Sequence, residues 1–260
     1  MKNFVMNERE LAENILNGGE FTESPSFVVN VLAKYYKSLG NKNPQIKNEI
    51  ERFVAEHFPN ISPKIKPKMI QRAIETASKY PLYEIDKIVI TKPEIEKINS
   101  LKSTAVKDYR LRRIAFALLC FSKYFALRGA KDGWINSDWS DIFTAADFRG
   151  LKTERKTILI RELIANGVLH VPAFSRRACA QVLFAQDGEP EISVDNINEV
   201  GYIFEEHEGK RFIKCQRCGK RVPVTNGRTK LCKTCAVIVG REKSRERMRM
   251  KREQENQISA

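Results

Sequence analysis

Cys215 and Cys218 bracket Gln216-Arg217, Cys232 and Cys235 bracket Lys233-Thr234, and thirteen residues separate the two pairs. Two intervening residues let one tight turn aim both sulfurs at a single point. Two such knuckles complete a tetrahedral shell of four thiolates, with zinc–sulfur distances of about 2.3 Å. Gly219 follows the first pair, where a knuckle needs a positive φ, and Asn226-Gly227 suits a hairpin turn between the pairs. The competing use of paired cysteines is a disulfide framework, which belongs to oxidising compartments. Met1–Glu13 mixes charges and lacks the apolar core of a secretory signal, so a reducing, cytoplasmic setting is expected and zinc with it. Four thiolates fill the shell and leave no position for a catalytic water, so the predicted site is structural. Cys120 and Cys179 stand alone and read as core residues.

The second chemistry-bearing feature is charge. The chain carries a formal net charge of +14, and residues 210–260 hold sixteen Lys/Arg against four Glu, a local balance of +12. The first 209 residues are therefore almost neutral. A charge confined in this way points to a polyanionic partner rather than to a generally basic surface. Arg241, Arg245, Arg249 and Arg252 recur at spacings of four, four and three, which a helix would align along one side.

Other chemistries find less support. The three histidines, His57, His170 and His207, are far apart, and none sits in a metallohydrolase or nuclease setting. There is no phosphate-cradling Gly-rich loop and no nucleophile paired with a base, so no catalytic residue is assigned and a non-enzymatic role is expected. The longest apolar run, Ile114–Phe121, is far shorter than the roughly 20 residues a membrane span needs, so no membrane partner is expected.

Periodicity supplies the elements that must carry these residues. Four amphipathic helices are predicted in residues 1–86, the strongest being Phe27–Leu39, Pro44–Phe58 and Lys68–Tyr80, and they suit a small helical bundle. Residues 87–103 read as a linker with a short helix begun by Thr91 and Pro93. Over 104–209 the predicted order is a long helix, Val106–Leu127; a brief strand at Gly133-Trp134-Ile135; a helix at Trp139–Ala146 capped by Ser137; and a helix capped by Thr153 and stopped at Asn166-Gly167. Two β-rich runs, Val168–Phe174 and Cys179–Ala185, follow as a hairpin. Residues 210–236 hold the cysteines, and 237–260 form a basic helical tail too poor in apolar residues to pack.

The order helix, strand, helix, helix, hairpin resembles the winged helix-turn-helix domains of regulators and replication initiators. The local likeness is strongest at Leu163-Ile164-Ala165-Asn166-Gly167-Val168-Leu169. That resemblance implies that the helix beginning near Thr153 enters a major groove, with Lys152, Arg155 and Lys156 near base edges and Arg176 and Arg177 at a wing tip. The cysteine pairs with the arginine-rich tail resemble a zinc ribbon found in uncharacterised proteins of bacteriophages and integrative elements of Gram-positive bacteria, which implies a mobile-element context. The expected fold is mainly α: an N-terminal helical bundle, a central α+β winged helix, and a C-terminal four-cysteine zinc ribbon with a projecting basic helix. The expected function is zinc-stabilised nucleic-acid binding, DNA ahead of RNA, in replication or transcription control. An RNA-binding factor, and a protein-interaction factor or inhibitor of a host nucleic-acid-processing complex, are the alternatives.

Overall fold

A computed structural model describes residues 4–19, 23–172, 177–224, 227 and 229–258. The fold is mainly α. Helices α1 (Glu8–Leu16), α2 (Pro25–Ser38), α3 (Asn43–His57) and α4 (Lys66–Lys79) form the first unit. Helix α2 is its centre: Val28, Val31 and Leu32 bury toward α1, while Val29 and Ala33 join Ile46, Ile50, Ile70 and Ala73 of α3 and α4. Prolines in the first turns of α2, α3 and α4 start these helices where a missing N–H costs nothing.

Residues 87–103, read from the sequence as a linker, carry strand β1 (Ile88–Thr91) and helix α5 (Lys92–Ser100). Both are built into the large core through Ile88, Ile90, Ile95 and Ile98. Thr91 and Glu94 make a reciprocal cap on α5. The Glu94 carboxylate is fully buried and accepts from the backbone N–H groups of Thr91 (2.8 Å) and Gln186 (2.9 Å) and from Lys123 Nζ (2.7 Å). A buried carboxylate is tolerable only when its oxygens are filled in this way.

Helix α6 (Asp108–Leu127) is the axis of the larger unit, with Ile114, Phe116, Leu119 and Phe121 wholly buried. Around it lie β2 (Trp134–Asp138), α7 (Trp139–Ala145), α8 (Thr153–Ala165), β3 (Leu169–His170) and β4 (Arg177–Val182). These strands form an antiparallel sheet in the order β2-β4-β3, with Ile135 opposite Ala180 and Leu169 opposite Val182. Helix α8 stops as the sequence predicts: Gly167 takes φ 68°, and the N–H of Val168 reaches back to the Leu163 carbonyl at 3.2 Å. The expected caps fall one residue off. Ser137 lies inside β2, because pairing with β4 continues through Asp138, and Thr153 is the first helical residue of α8.

Strand β5 (Pro190–Val194) returns to pair antiparallel with β1, Ile88 opposite Val194 and Ile90 opposite Ile192. A 3-10 turn at Ile197–Glu199 leads into α9 (Val200–His207), which lays Phe204 against Phe116 with ring centroids 5.3 Å apart. The N-terminal segment crosses to the same core, where Phe4 meets Phe121 edge-on at 5.0 Å. Glu8 ties the two units together: it is 2% exposed and binds Lys34 Nζ (3.0 Å) and Arg128 Nη2 (2.9 Å). The chain ends with β6 (Phe212–Lys214), β7 (Arg221–Pro223) and the long helix α10 (Lys233–Ile258). No helix among the described residues is long and apolar enough to cross a membrane.

Candidate metal centre and cationic surfaces

Strands β6 and β7 form a two-stranded hairpin with Ile213 opposite Val222 and Lys214 opposite Arg221. Cys215 follows β6 directly, and its N–H donates to the Lys220 carbonyl at 2.8 Å. Gly219 donates to the Cys215 carbonyl at 2.9 Å and adopts φ 70°, the left-handed conformation that lets the knuckle fold back. A hydrogen bond from Gln216 N to Lys230 O (3.1 Å) holds the second cysteine pair beside the first. The four ligand sulfurs of Cys215, Cys218, Cys232 and Cys235 lie within 4.8 Å of one another.

This set fits a metal ion. A tetrahedron with metal–sulfur bonds of about 2.3 Å has sulfur–sulfur edges of about 3.8 Å, and the Cys218 and Cys232 sulfurs are 3.8 Å apart. That separation is far beyond the roughly 2.05 Å of a disulfide, and all four cysteines are free thiols. The electrostatics point the same way. The N–H of Cys232, donating to Cys215 Sγ at 3.2 Å, is the main cause that pulls the Cys215 thiol down to about 6. Hydrogen bonding with Cys232 pushes the Cys235 thiol up to about 12, and burial raises that of Cys218. Cys215 is thus drawn down while Cys218 and Cys235 are raised, and a cation among the four sulfurs would favour the thiolate form of all of them.

Helix α10 begins inside the second cysteine pair, at Lys233, four residues before the tail expected from the sequence at residue 237. Cys232 stands at its cap position: its carbonyl accepts from Ala236 N (2.9 Å), and its sulfur accepts from Cys235 N (3.4 Å). The sulfur thus takes the place of the oxygen of an ordinary helix cap. Two turns on, Glu242 receives both guanidinium nitrogens of Arg217, at 2.7 and 2.9 Å, and so ties the first knuckle to the helix.

The hairpin is fastened to the body of the protein by Arg221. Its side chain, 13% exposed, donates to Asp195 (2.7 Å) and Glu206 (3.2 Å) and lies 3.5 Å from Glu199, while its backbone N–H donates to the Glu199 carboxylate at 3.2 Å. Burial pushes the Glu199 carboxyl above its ordinary value more strongly than Arg221 draws it down. Asp195 is also raised by burial, but hydrogen bonding and charge from Arg221 outweigh this and leave its carboxyl below the usual range. Tyr202 of α9 and Phe212 of β6 add a ring contact at 5.4 Å. The sequence marks Arg221 only as one more basic residue. Lys210, Lys214 and Arg217 are likewise paired with Glu205, Asp195 and Glu242, and the exposed basic run lies further along α10.

There, every residue from Arg241 to Met250 is exposed. At about 100° per residue, Arg241, Arg245 and Arg249 fall within an arc of about 80°. Glu246 is held by Arg249 at 2.7 Å. Arg252 continues the same helix backbone. In the middle of the chain, Lys152 and Arg155 are exposed at the start of α8, whereas Lys156 is half-buried with its ammonium 5.3 Å from the centre of the Phe143 ring. Arg176 lies outside the described residues, and Arg177 is described only as the backbone that opens β4. Cys120 is buried as expected, and burial drives its thiol upward, but Cys179 is exposed on β4. Comparison with family models, with curated proteins and with solved structures finds no match to this chain.

Proposed function

We propose that this chain is a zinc-stabilised, non-enzymatic protein that binds nucleic acid, DNA in preference to RNA, in the cytoplasm of a host carrying a phage or other mobile element. The observation that carries the reading is the junction at Cys232–Cys235, where a four-sulfur cluster passes without a break into an exposed helix bearing Arg241, Arg245 and Arg249. Zinc is the natural occupant because it takes four thiolates tetrahedrally without redox chemistry. The β6–β7 hairpin, with the first knuckle at its turn and the second knuckle beside it, supports a zinc-ribbon reading. The sheet order β2-β4-β3, with α6, α7 and α8 against it, supports a winged helix for the middle of the chain, with α8 as the groove-facing helix. Replication or transcription control is the corresponding role. A protein-docking role is favoured by Val237 and Ile238, which stand exposed at the base of α10.

The test is removal of Arg241–Ala260 from the full chain. If about five of the deleted cations meet phosphates, the slope of log K against log salt on duplex DNA flattens by about 4.5, and every sequence is weakened alike. An unchanged slope removes nucleic acid as the partner of the tail. Parallel titration with folded RNA at matched salt decides which polyanion is preferred.

A further inference from the structure

Val106, Leu151 and Leu159 floor an open hollow of about 300 Å³ between the start of α6 and the start of α8, and Lys107, Arg110 and Arg155 stand around it. The three cations are exposed, and no ion pair involves any of them among the described residues. The nearby acids are turned elsewhere. Asp108 accepts from the Ser103 N–H at 2.9 Å and pairs with Lys102 at 3.3 Å; the Ser103 bond is the main cause that draws its carboxyl below the usual range. Glu162 accepts from the Ser103 hydroxyl at 2.7 Å. Glu154, exposed in the first turn of α8, is the one carboxylate of that turn, and it does not line the hollow. Neither α6 nor α8 has a side-chain cap on its first-turn N–H groups, which adds positive potential on the same side.

An apolar floor under converging, uncompensated cations is complementary to a sugar-phosphate strand: the sugar edge covers the leucines and the phosphates meet the rim. We infer that this hollow is a second seat for the nucleic-acid backbone, separate from α10, in which Lys107 and Arg110 extend the surface begun by Arg155. The inference rests on the proposed nucleic-acid partner and adds two residues and a location that composition does not reveal. Its role is positional. Phosphates held beside the start of α8 fix the register in which that helix meets the bases.

The test uses the full chain with Lys107→Ala and Arg110→Ala together, both exposed and outside the core, so the fold and its metal content stay unchanged. Losing two phosphate contacts should flatten the salt slope by about 1.8 on duplex DNA and about 1.4 on single strands. Between 50 and 200 mM salt, binding by the intact protein to duplex DNA should then fall about twelvefold more than binding by the variant. Duplex DNA and folded RNA run side by side identify which strand the seat holds. An unchanged slope and affinity in this variant, when deletion of Arg241–Ala260 does flatten the slope, overturns the second seat and leaves the proposed function standing. An intact protein that binds neither polymer overturns both.

Discussion

Replacing Arg221 by alanine should release the β6–β7 hairpin from the body of the protein without unfolding either. The side chain touches Asp195, Glu199 and Glu206 at 2.7, 3.5 and 3.2 Å and is 13% exposed, whereas Asp195 and Glu206 are 43% and 47% exposed. Breaking a fully buried ion pair costs about 3–5 kcal/mol, because the remaining charge loses its partner. Solvent at two of the three carboxylates screens part of that loss. The backbone N–H bond from residue 221 to Glu199 survives truncation. A local cost of about 2 kcal/mol follows, equal to a roughly thirtyfold rise in the opening equilibrium of the hairpin. Amide hydrogen exchange followed by peptide mass should show the loss of protection over Phe212–Pro223, with α6 unchanged. The pH dependence adds a check. Asp195 has its carboxyl held below the ordinary value near 3.9, so its contribution is present above about pH 4 and is lost as pH falls further. Arg221→Ala should shrink that acid-dependent part. Unchanged protection of β6 and β7 would refute the docking argument, and loss of protection throughout α6 would show that Arg221 supports the whole core.

Cys218→Ser should lower the bound metal from one ion per chain to a weakly held fraction, measured by elemental analysis. It should also lower the helical circular dichroism of the α10 region while leaving the α6 core protected from exchange. Arg155→Ala should cost about 1–3 kcal/mol on a selected DNA site and less on a scrambled one if the side chain reads a base; equal losses would make it a phosphate contact. Lys156→Ala should act instead through the fold, costing about 0.5–1 kcal/mol of thermal stability with its contact to Phe143, and an unchanged Tm would contradict that placement.

The cysteine spacing and the apolar periods of α6 and α8 were readable in the sequence because each is local. A knuckle needs only neighbouring residues, and a helix face repeats within a turn or two. What the sequence did not show depends on partners far along the chain. β1 looked like part of a linker because its antiparallel partner, β5, begins about a hundred residues later and no local signal encodes the pairing. Arg221 is indistinguishable in composition from a phosphate-binding arginine until Asp195 after β5, Glu199 of the 3-10 turn and Glu206 of α9 are placed around it. The sequence points to a tail helix from residue 237 rather than Lys233 because cysteine is not among the ordinary capping residues, and only the fold of the knuckle turns the Cys232 sulfur toward the N–H of Cys235. Nothing in the sequence singles out Lys107 and Arg110, because the hollow beside them exists only where the starts of α6 and α8 come together.

Because α10 issues directly from the second knuckle, the sulfur cluster is also the pivot of a lever. The 26 residues from Lys233 to Ile258 make an arm of about 39 Å. A tilt of 10° at its base displaces the far end by about 7 Å, roughly two nucleotide steps along one strand at 3.4 Å each. If α10 lies along a nucleic acid, as proposed, small adjustments at Arg221 or at the Arg217–Glu242 bridge would be magnified into a choice of which phosphates the distal arginines meet. The reach of the tail is set by its length, and its aim by a few ångströms of packing at the opposite end.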